Sequence, residues 1–243
     1  MNLKLTIEYD GTNYHGWQIQ PNGKTIQEIL EQAIEKVLGI KTRLNGSGRT
    51  DAGVHALCQV ANFVSPRDID PLRLRTGLNA VTPEDIVVTQ VEIVPDAFDA
   101  RRDPRSRKYE YRIWNHRSPS PFHRRYSWHI PYSLNLSAMQ DAIKCLEGEH
   151  DFASFQAAGC DAEHAVRKIF ANSLVERDGM LVYEAEATAY LRHMVRNIVG
   201  TVVEVGRGER KPETFAELLR ARDRTQAGPT APAQGLFLVE VKY

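Results

Sequence analysis

Apolar residues along this chain switch between a period of two and a period of about 3.6, and that alternation limits the folds open to it. Leu3, Leu5, Ile7 and Tyr9 alternate with Lys4, Thr6 and Glu8 in LKLTIEY, residues 3–9, which predicts a half-buried strand. Thr25, with Glu28 three positions on, is a capping-box signal. Ile26, Ile29, Leu30, Ala33, Ile34, Val37 and Leu38 then recur at helical spacing, and Gly39 stands where a helix stops. Thr50 to Val64 reads as a strand leaving a glycine-rich turn. Asp70 as cap and Pro71 in the first turn predict a second helix to Asn79, and DIVVTQVEIV, 85–94, predicts a strand.

The second half repeats this sense. RKYEYRIWN, 107–115, alternates with Tyr109, Tyr111 and Ile113 on one face, and NLSAMQDAIKCLEG, 135–148, has helical spacing. Asp178 and Gly179 sit between two β-rich runs, a hairpin signal. Leu191, Met194, Val195, Ile198, Val199, Val202 and Val203 form an amphipathic helical pattern ending at Gly206. Pro212 to Leu219 reads as a short helix, and GLFLVEVKY closes the chain as a strand. The expected fold is α+β: two similar halves, 1–100 and 101–243, a largely antiparallel sheet covered by helices, and a cleft where the halves meet.

Charge is balanced, with 31 Lys plus Arg against 31 Asp plus Glu, so no net field announces a polyanionic partner. Its distribution is uneven. Residues 101–125 carry nine positive side chains, Arg107 among them, against Asp103 and Glu110, interleaved with Tyr109, Tyr111, Trp114 and Phe122. Cations neutralise phosphates and aromatic faces stack on unpaired bases, so this stretch suits RNA; it also reads as a solvated face with half its aromatics in the core. Cys58, Cys145 and Cys160 show no paired spacing, and the eight histidines no ligand spacing, so neither disulfides nor a metal is expected. Charges at Lys4, Glu8 and Asp10 interrupt any signal-peptide core, and no apolar run is long enough for a membrane span. The expectation is a soluble cytoplasmic protein.

GSGRTDAGVHA, 46–56, raises the sharpest chemical question, because it sets Asp51 among three glycines beside Arg49. The glycines match neither a dinucleotide fingerprint nor a phosphate loop. They allow a tight backbone and close approach of a ligand. In an extended segment Arg49 and Asp51 share a face, and a neighbouring guanidinium favours an ionised carboxylate, as a nucleophile or base requires. Spacing alone also fits a turn-capping Asp51 paired with Arg49 at the surface. Arg192 and Arg196, one helical turn apart, can form an anion site or lie along the edge of a buried helix.

YDGTNYHGWQIQ (9–20), GSGRTDAGVHALCQV (46–60), FDARRDPRSRKYEYRIWN (98–115), HDFASF (150–155), LRHMVRNIVGTVVEVG (191–206) and APAQGLFLVEVKY (231–243) together resemble, in order, the blocks of the bacterial tRNA pseudouridine synthase A family. The resemblance spans nearly the whole chain. It implies the pseudouridine synthase fold and a homodimer working without metal or organic cofactor on uridines at tRNA positions 38, 39 and 40 in the anticodon stem-loop. It places the nucleophile on Asp51, its partner arginine on Arg49, the active-site tyrosine on Tyr109, the arginine of MVRN on Arg196, and the apolar residue beneath the uracil on Leu236. Arg107 and Arg192 are further expected substrate contacts. Three positions depart from the family pattern: Ser47 stands in place of alanine, Asp99 in place of histidine or serine, and Arg192 in place of histidine. A glycosidase-like reading needs a second carboxylate about 5–10 Å from the first, and the blocks supply no obvious one.

Overall fold

The computed structural model describes residues 1–160 and 162–243. By contacts the chain forms two compact units, Met1–Arg105 with Phe237–Tyr243, and Ser106–Leu236. The expected halves met at residue 100; the units divide after Arg105, and the last strand returns to the first unit.

In the first unit β1 (Asn2–Tyr9) is central, antiparallel to both β3 (His55–Val64) and β4 (Ile86–Val94). The two-residue β2 (Asn45–Gly46) pairs with β3, and β10 (Leu236–Lys242) runs parallel to the start of β3, with Phe237 opposite His55. Leu3, Leu5 and Ile7 are wholly buried, as their alternation predicted. α1 (Ile26–Leu38) begins where Thr25 accepts a hydrogen bond from Glu28 N–H and ends at Gly39 in the left-handed region. α2 (Pro71–Asn79) is capped by Asp70, whose side chain accepts from Leu72 N–H and Arg73 N–H. α2 packs on α1 and β4, and Ile26, Leu30, Ile34, Leu74 and Leu78 fill the layer between helices and sheet. Each such side chain removed from water contributes about 1.5–3 kcal/mol.

The second unit carries the strand order β5 (Ser106–Asn115), β9 (Met180–Ala187), β8 (Val166–Arg177), β7 (Gly148–Asp151), all antiparallel, with β6 (Trp128–Ile130) parallel to β5. Asp178 and Gly179, at φ 52° and 75°, make the predicted hairpin turn. α3 (Leu136–Ile143) packs on β8 and on α4 (Met194–Gly206), and α5 (Thr214–Ala221) lies against α3.

Four boundaries differ from the sequence reading. Residues 50–54 are a turn, and the strand begins only at His55. α3 gives way to a single 3₁₀ turn at Lys144–Leu146. α4 starts at Met194, because His193 has φ 61° and cannot continue a right-handed helix. α5 starts at Thr214, beyond Pro212. Among the described residues no helix is long and apolar enough to cross a membrane.

On one face of the second unit's sheet, Glu110 and Glu184 stand directly opposite each other. Like charges in that register repel. The repulsion is offset by Lys108 Nζ and Arg177, 2.9 and 2.8 Å from Glu184, and by Arg112, 2.5 Å from Glu110. Burial opposes the charged form of Glu184, yet hydrogen bonds from Lys108 and Arg177 hold its carboxyl below the usual range. A carboxyl lowered in the folded state stabilises above its ordinary range, and the gain is lost as pH falls through the lowered value. Glu184→Gln should therefore cost about 1 kcal/mol of unfolding free energy at neutral pH, and the cost should vanish in acid, as read by denaturant titrations at both pH values.

Candidate active site

Asp51 sits in the turn between β2 and β3. Its carbonyl accepts from Val54 N–H at 3.1 Å, and Gly53 has φ 75°. The turn replaces the extended backbone expected there, so Arg49 and Asp51 are not set by strand alternation: Arg49 is exposed and Asp51 half-buried.

An irregular loop keeps its shape only if its backbone groups find partners, and the segment after β1 supplies them. Trp17 N–H donates to the Thr50 carbonyl at 3.1 Å, and Gly53 N–H donates to the Tyr14 carbonyl at 3.2 Å. The hydroxyls of Tyr9 and Thr50 meet at 2.7 Å in a buried position. Gly11 N–H donates to His55 Nδ1 at 3.1 Å, and the imidazole stacks on Phe237 with ring centroids 4.7 Å apart. At Gly11 a Cβ would lie 2.0 Å from the Val54 carbonyl oxygen, so only glycine lets the two segments touch. Tyr14, whose carbonyl holds Gly53, is itself fixed by donating its hydroxyl to Asp85; burial and that carboxylate push the phenol well above its ordinary range.

The other end of the loop is tied to β3. Ser47 N–H donates to the Val60 carbonyl, its buried hydroxyl meets Gln59 Oε1 at 2.7 Å, and Gln59 Nε2 donates to the Gly48 carbonyl at 3.0 Å. Ser47 thus adds a hydrogen bond to the base of the Asp51 turn.

The second unit holds Tyr109, Arg107, Arg192, Arg196 and Leu236. Tyr109 lies on β5, 7% exposed, with Tyr190 edge-on at 4.9 Å between ring centroids. Tyr190 donates its hydroxyl to the carbonyls of Ala185, at 2.7 Å, and Arg107, at 3.2 Å; burial raises its pKa, so it remains a neutral brace. Arg107 reaches the Thr188 carbonyl at 2.9 Å.

Arg196 projects from the first turn of α4, and its Nε donates to the Ala231 carbonyl at 2.8 Å while Ala231 N–H returns a bond to the Arg196 carbonyl. Fully buried Asn197, next in sequence, donates to the Phe155 carbonyl and accepts from Thr230 and Arg224. Gly200 permits this approach, since a Cβ there would fall 1.7 Å from the Pro229 carbonyl oxygen. Segment 229–231 is thereby laid along α4, and five residues on it delivers Leu236, 6% exposed, at the start of β10. Arg192 does not share the helix with Arg196. It lies two residues before α4 and donates to the Ala158 and Gly159 carbonyls. Among the described residues no three His, Cys, Asp or Glu side chains gather as metal ligands would.

The sequence reading placed Tyr9 in the first strand but did not show its part in the turn, and it gave Gly11, His55, Tyr190 and Asn197 no role at all. Tyr9, Gly11, His55 and Asn197 lie inside the quoted blocks, where their identity was visible but their partners were not. Tyr190 stands just before the LRHMVRN block and no periodicity marks it.

With this geometry in view, residues 5–103 and 142–243 match the family described as tRNA pseudouridine synthase. The chain belongs to the tRNA pseudouridine synthase family, and so to the isomerases. Its curated relatives include a tRNA pseudouridine synthase A of Myxococcus xanthus, 48% identical over 242 residues and covering 99% of this chain and 91% of that protein. Proteins of the same name from Thermoanaerobacter sp. (strain X514), 44% identical over 100% of this chain and 99% of theirs, and from Geotalea daltonii, 45% identical with the same coverage, match it likewise.

Gly11→Ala should force the Asp51 turn away from its support. We expect a loss of about 1–3 kcal/mol in stability and a fall in kcat larger than any change in KM, measured by denaturation and by tRNA modification kinetics. Tyr9→Phe should leave the buried Thr50 hydroxyl short of a partner and cost about 1–3 kcal/mol, measured in the same denaturation assay.

Proposed function

We propose that this protein isomerises uridine to pseudouridine in the anticodon stem-loop of tRNA, at positions 38, 39 and 40, with Asp51 as nucleophile. The reaction breaks the N1–C1′ glycosidic bond, turns the uracil while it is held, and joins C5 to the same ribose carbon. The C5 proton leaves and N1 gains one, so the product is an isomer of the substrate. The observation that carries this reading is the Asp51 turn: a half-buried carboxylate on a loop whose Thr50 carbonyl, Gly53 N–H and Val54 N–H are all engaged. A carboxylate so held can attack C1′ of the ribose or add to C6 of the ring, and either route needs it fixed against the nucleotide before reaction.

The other side chains take roles by their chemistry. Tyr109, braced by Tyr190, stacks on the uracil or receives the C5 proton. Leu236 keeps water from the detached base. Arg196 supplies positive charge to the reacting centre, and Arg49 engages phosphate as the target nucleotide leaves its stack. Arg107 and Arg192 serve as RNA contacts. The protein works as a homodimer in the cytoplasm, with no metal or organic cofactor.

Tritium release from tRNA transcripts labelled at uracil C5 tests the reading. Wild-type protein should release tritium, and Asp51→Ala should lower release by several orders of magnitude while retaining tRNA binding. Folded wild-type protein that releases none from any tRNA with uridine at 38, 39 or 40 would overturn the proposal in favour of an RNA-binding role.

A further inference from the structure

A cavity of about 300 Å³ lies on the first unit beside the Asp51 turn. Arg43, Arg49 and Arg101 border it together with Trp17, Gln18 and Asn45, and no carboxylate is among its lining residues. That size is at the small end for a ligand pocket, room for a phosphodiester and a sugar rather than a large cofactor. Arg43 stands 3.6 Å from Glu31 and is 62% exposed. Guanidinium groups converging on a polar hollow match the planar, multi-acceptor geometry of a phosphate.

Asp99 orders one side of this cluster. Its Oδ1 accepts from Asn45 Nδ2 at 2.7 Å and from the backbone N–H groups of Arg101 and Arg102 at 2.8 and 3.0 Å. Slight burial opposes the charged form, but these three donors hold the carboxyl below its usual range. Through Oδ1, Asp99 thus orders the turn that presents Arg101 and the amide of Asn45, both of which line the cavity, while its Oδ2 lies 3.9 Å from Arg102 Nε.

We infer that this cavity is a phosphodiester subsite, which takes a backbone phosphate of the RNA strand next to the nucleotide at Asp51, through Arg43 and Arg101, with Asp99 as a positioning residue. The inference rests on the reading that the substrate is RNA. Arg49 belongs to the cavity wall and lies two residues from Asp51, so a phosphate held here sets the register of the strand entering the reaction.

The test is fluorescence anisotropy of labelled tRNA transcript with the full chain over a salt series. Arg43→Gln/Arg101→Gln should weaken binding about tenfold or more at low salt and flatten the slope of log K against log salt by about 0.7–0.9, the loss of one phosphate contact. Arg73→Gln, at an exposed arginine on α2, serves as control and should change neither. Asp99→Ala should weaken binding although it removes negative charge, and Asp99→Asn, which keeps the acceptor, should restore it. A double variant no different from the control would overturn the subsite, and tighter binding by Asp99→Ala would overturn the positioning role. Circular dichroism verifies the fold of each variant. Tritium release is read in parallel: wild type that binds tRNA without release overturns the isomerase reading and leaves the subsite standing. Release with an unchanged salt slope in the double variant overturns the subsite alone.

Discussion

The hydrogen bond from Trp17 N–H to the Thr50 carbonyl is the constraint on which the Asp51 loop depends. Glycine-rich turns have many accessible conformations, and ordering one costs about 1–2 kcal/mol per residue in backbone entropy. The chain meets this cost by running the segment after β1 directly along the turn. Trp17, Tyr14 and Gly11 each contribute a backbone group, and Tyr9 adds a hydroxyl. The support is mostly main chain and wholly buried at Tyr9, Tyr14 and Trp17, so it moves little with rotamer changes. Asp51 gains a fixed position on a turn held by the segment after β1 and by β3.

The second unit reaches the same end by another route. There the backbone to be fixed is 229–231, and it is docked on a helix rather than on a loop. Asn197 is the hub, because one buried amide satisfies Phe155, Thr230 and Arg224 together. A buried amide with unmet valences is costly, so the arrangement is cooperative: all partners bind or none is stable. Arg196, next in sequence to Asn197, is anchored through Nε to the Ala231 carbonyl. In both units a side chain with chemical potential is held by backbone contacts of a neighbouring segment.

Much of this architecture was legible in the sequence, because long amphipathic elements carry their own period. β1, α1, α2, β4, β5 and the Asp178–Gly179 hairpin all follow from apolar spacing and capping residues that the structure uses as expected. Strands of two to four residues, such as β2, β6 and β7, are too short to show a period. The start of α4 was misplaced for a different reason: Leu191 is buried and fits the apolar stripe, but His193 adopts a left-handed conformation that periodicity does not register. That one dihedral separates Arg192 from Arg196 and sends it to the 158–159 carbonyls. The identity of Asp51, Tyr109, Arg196 and Leu236 was visible through family resemblance. Their supports were not, since a hydrogen bond between residues 9 and 50 has no local signature.

Ser47 and Asp99 show how the scaffold around the Asp51 turn accommodates polar groups. Ser47 is buried, where a hydroxyl in place of a methyl would ordinarily be penalised. Gln59 removes the penalty by meeting that hydroxyl while its amide holds the Gly48 carbonyl, so the pair tightens the base of the turn. Asp99 places a negative charge in a stretch otherwise rich in arginine, which should weaken attraction for a polyanion. Instead its Oδ1 accepts from Asn45 and from two backbone N–H groups while Oδ2 lies 3.9 Å from Arg102 Nε, so the carboxylate acts as a turn cap with positive groups beside it. In both cases the polar group bonds to the scaffold around the Asp51 turn and adds to its stiffness.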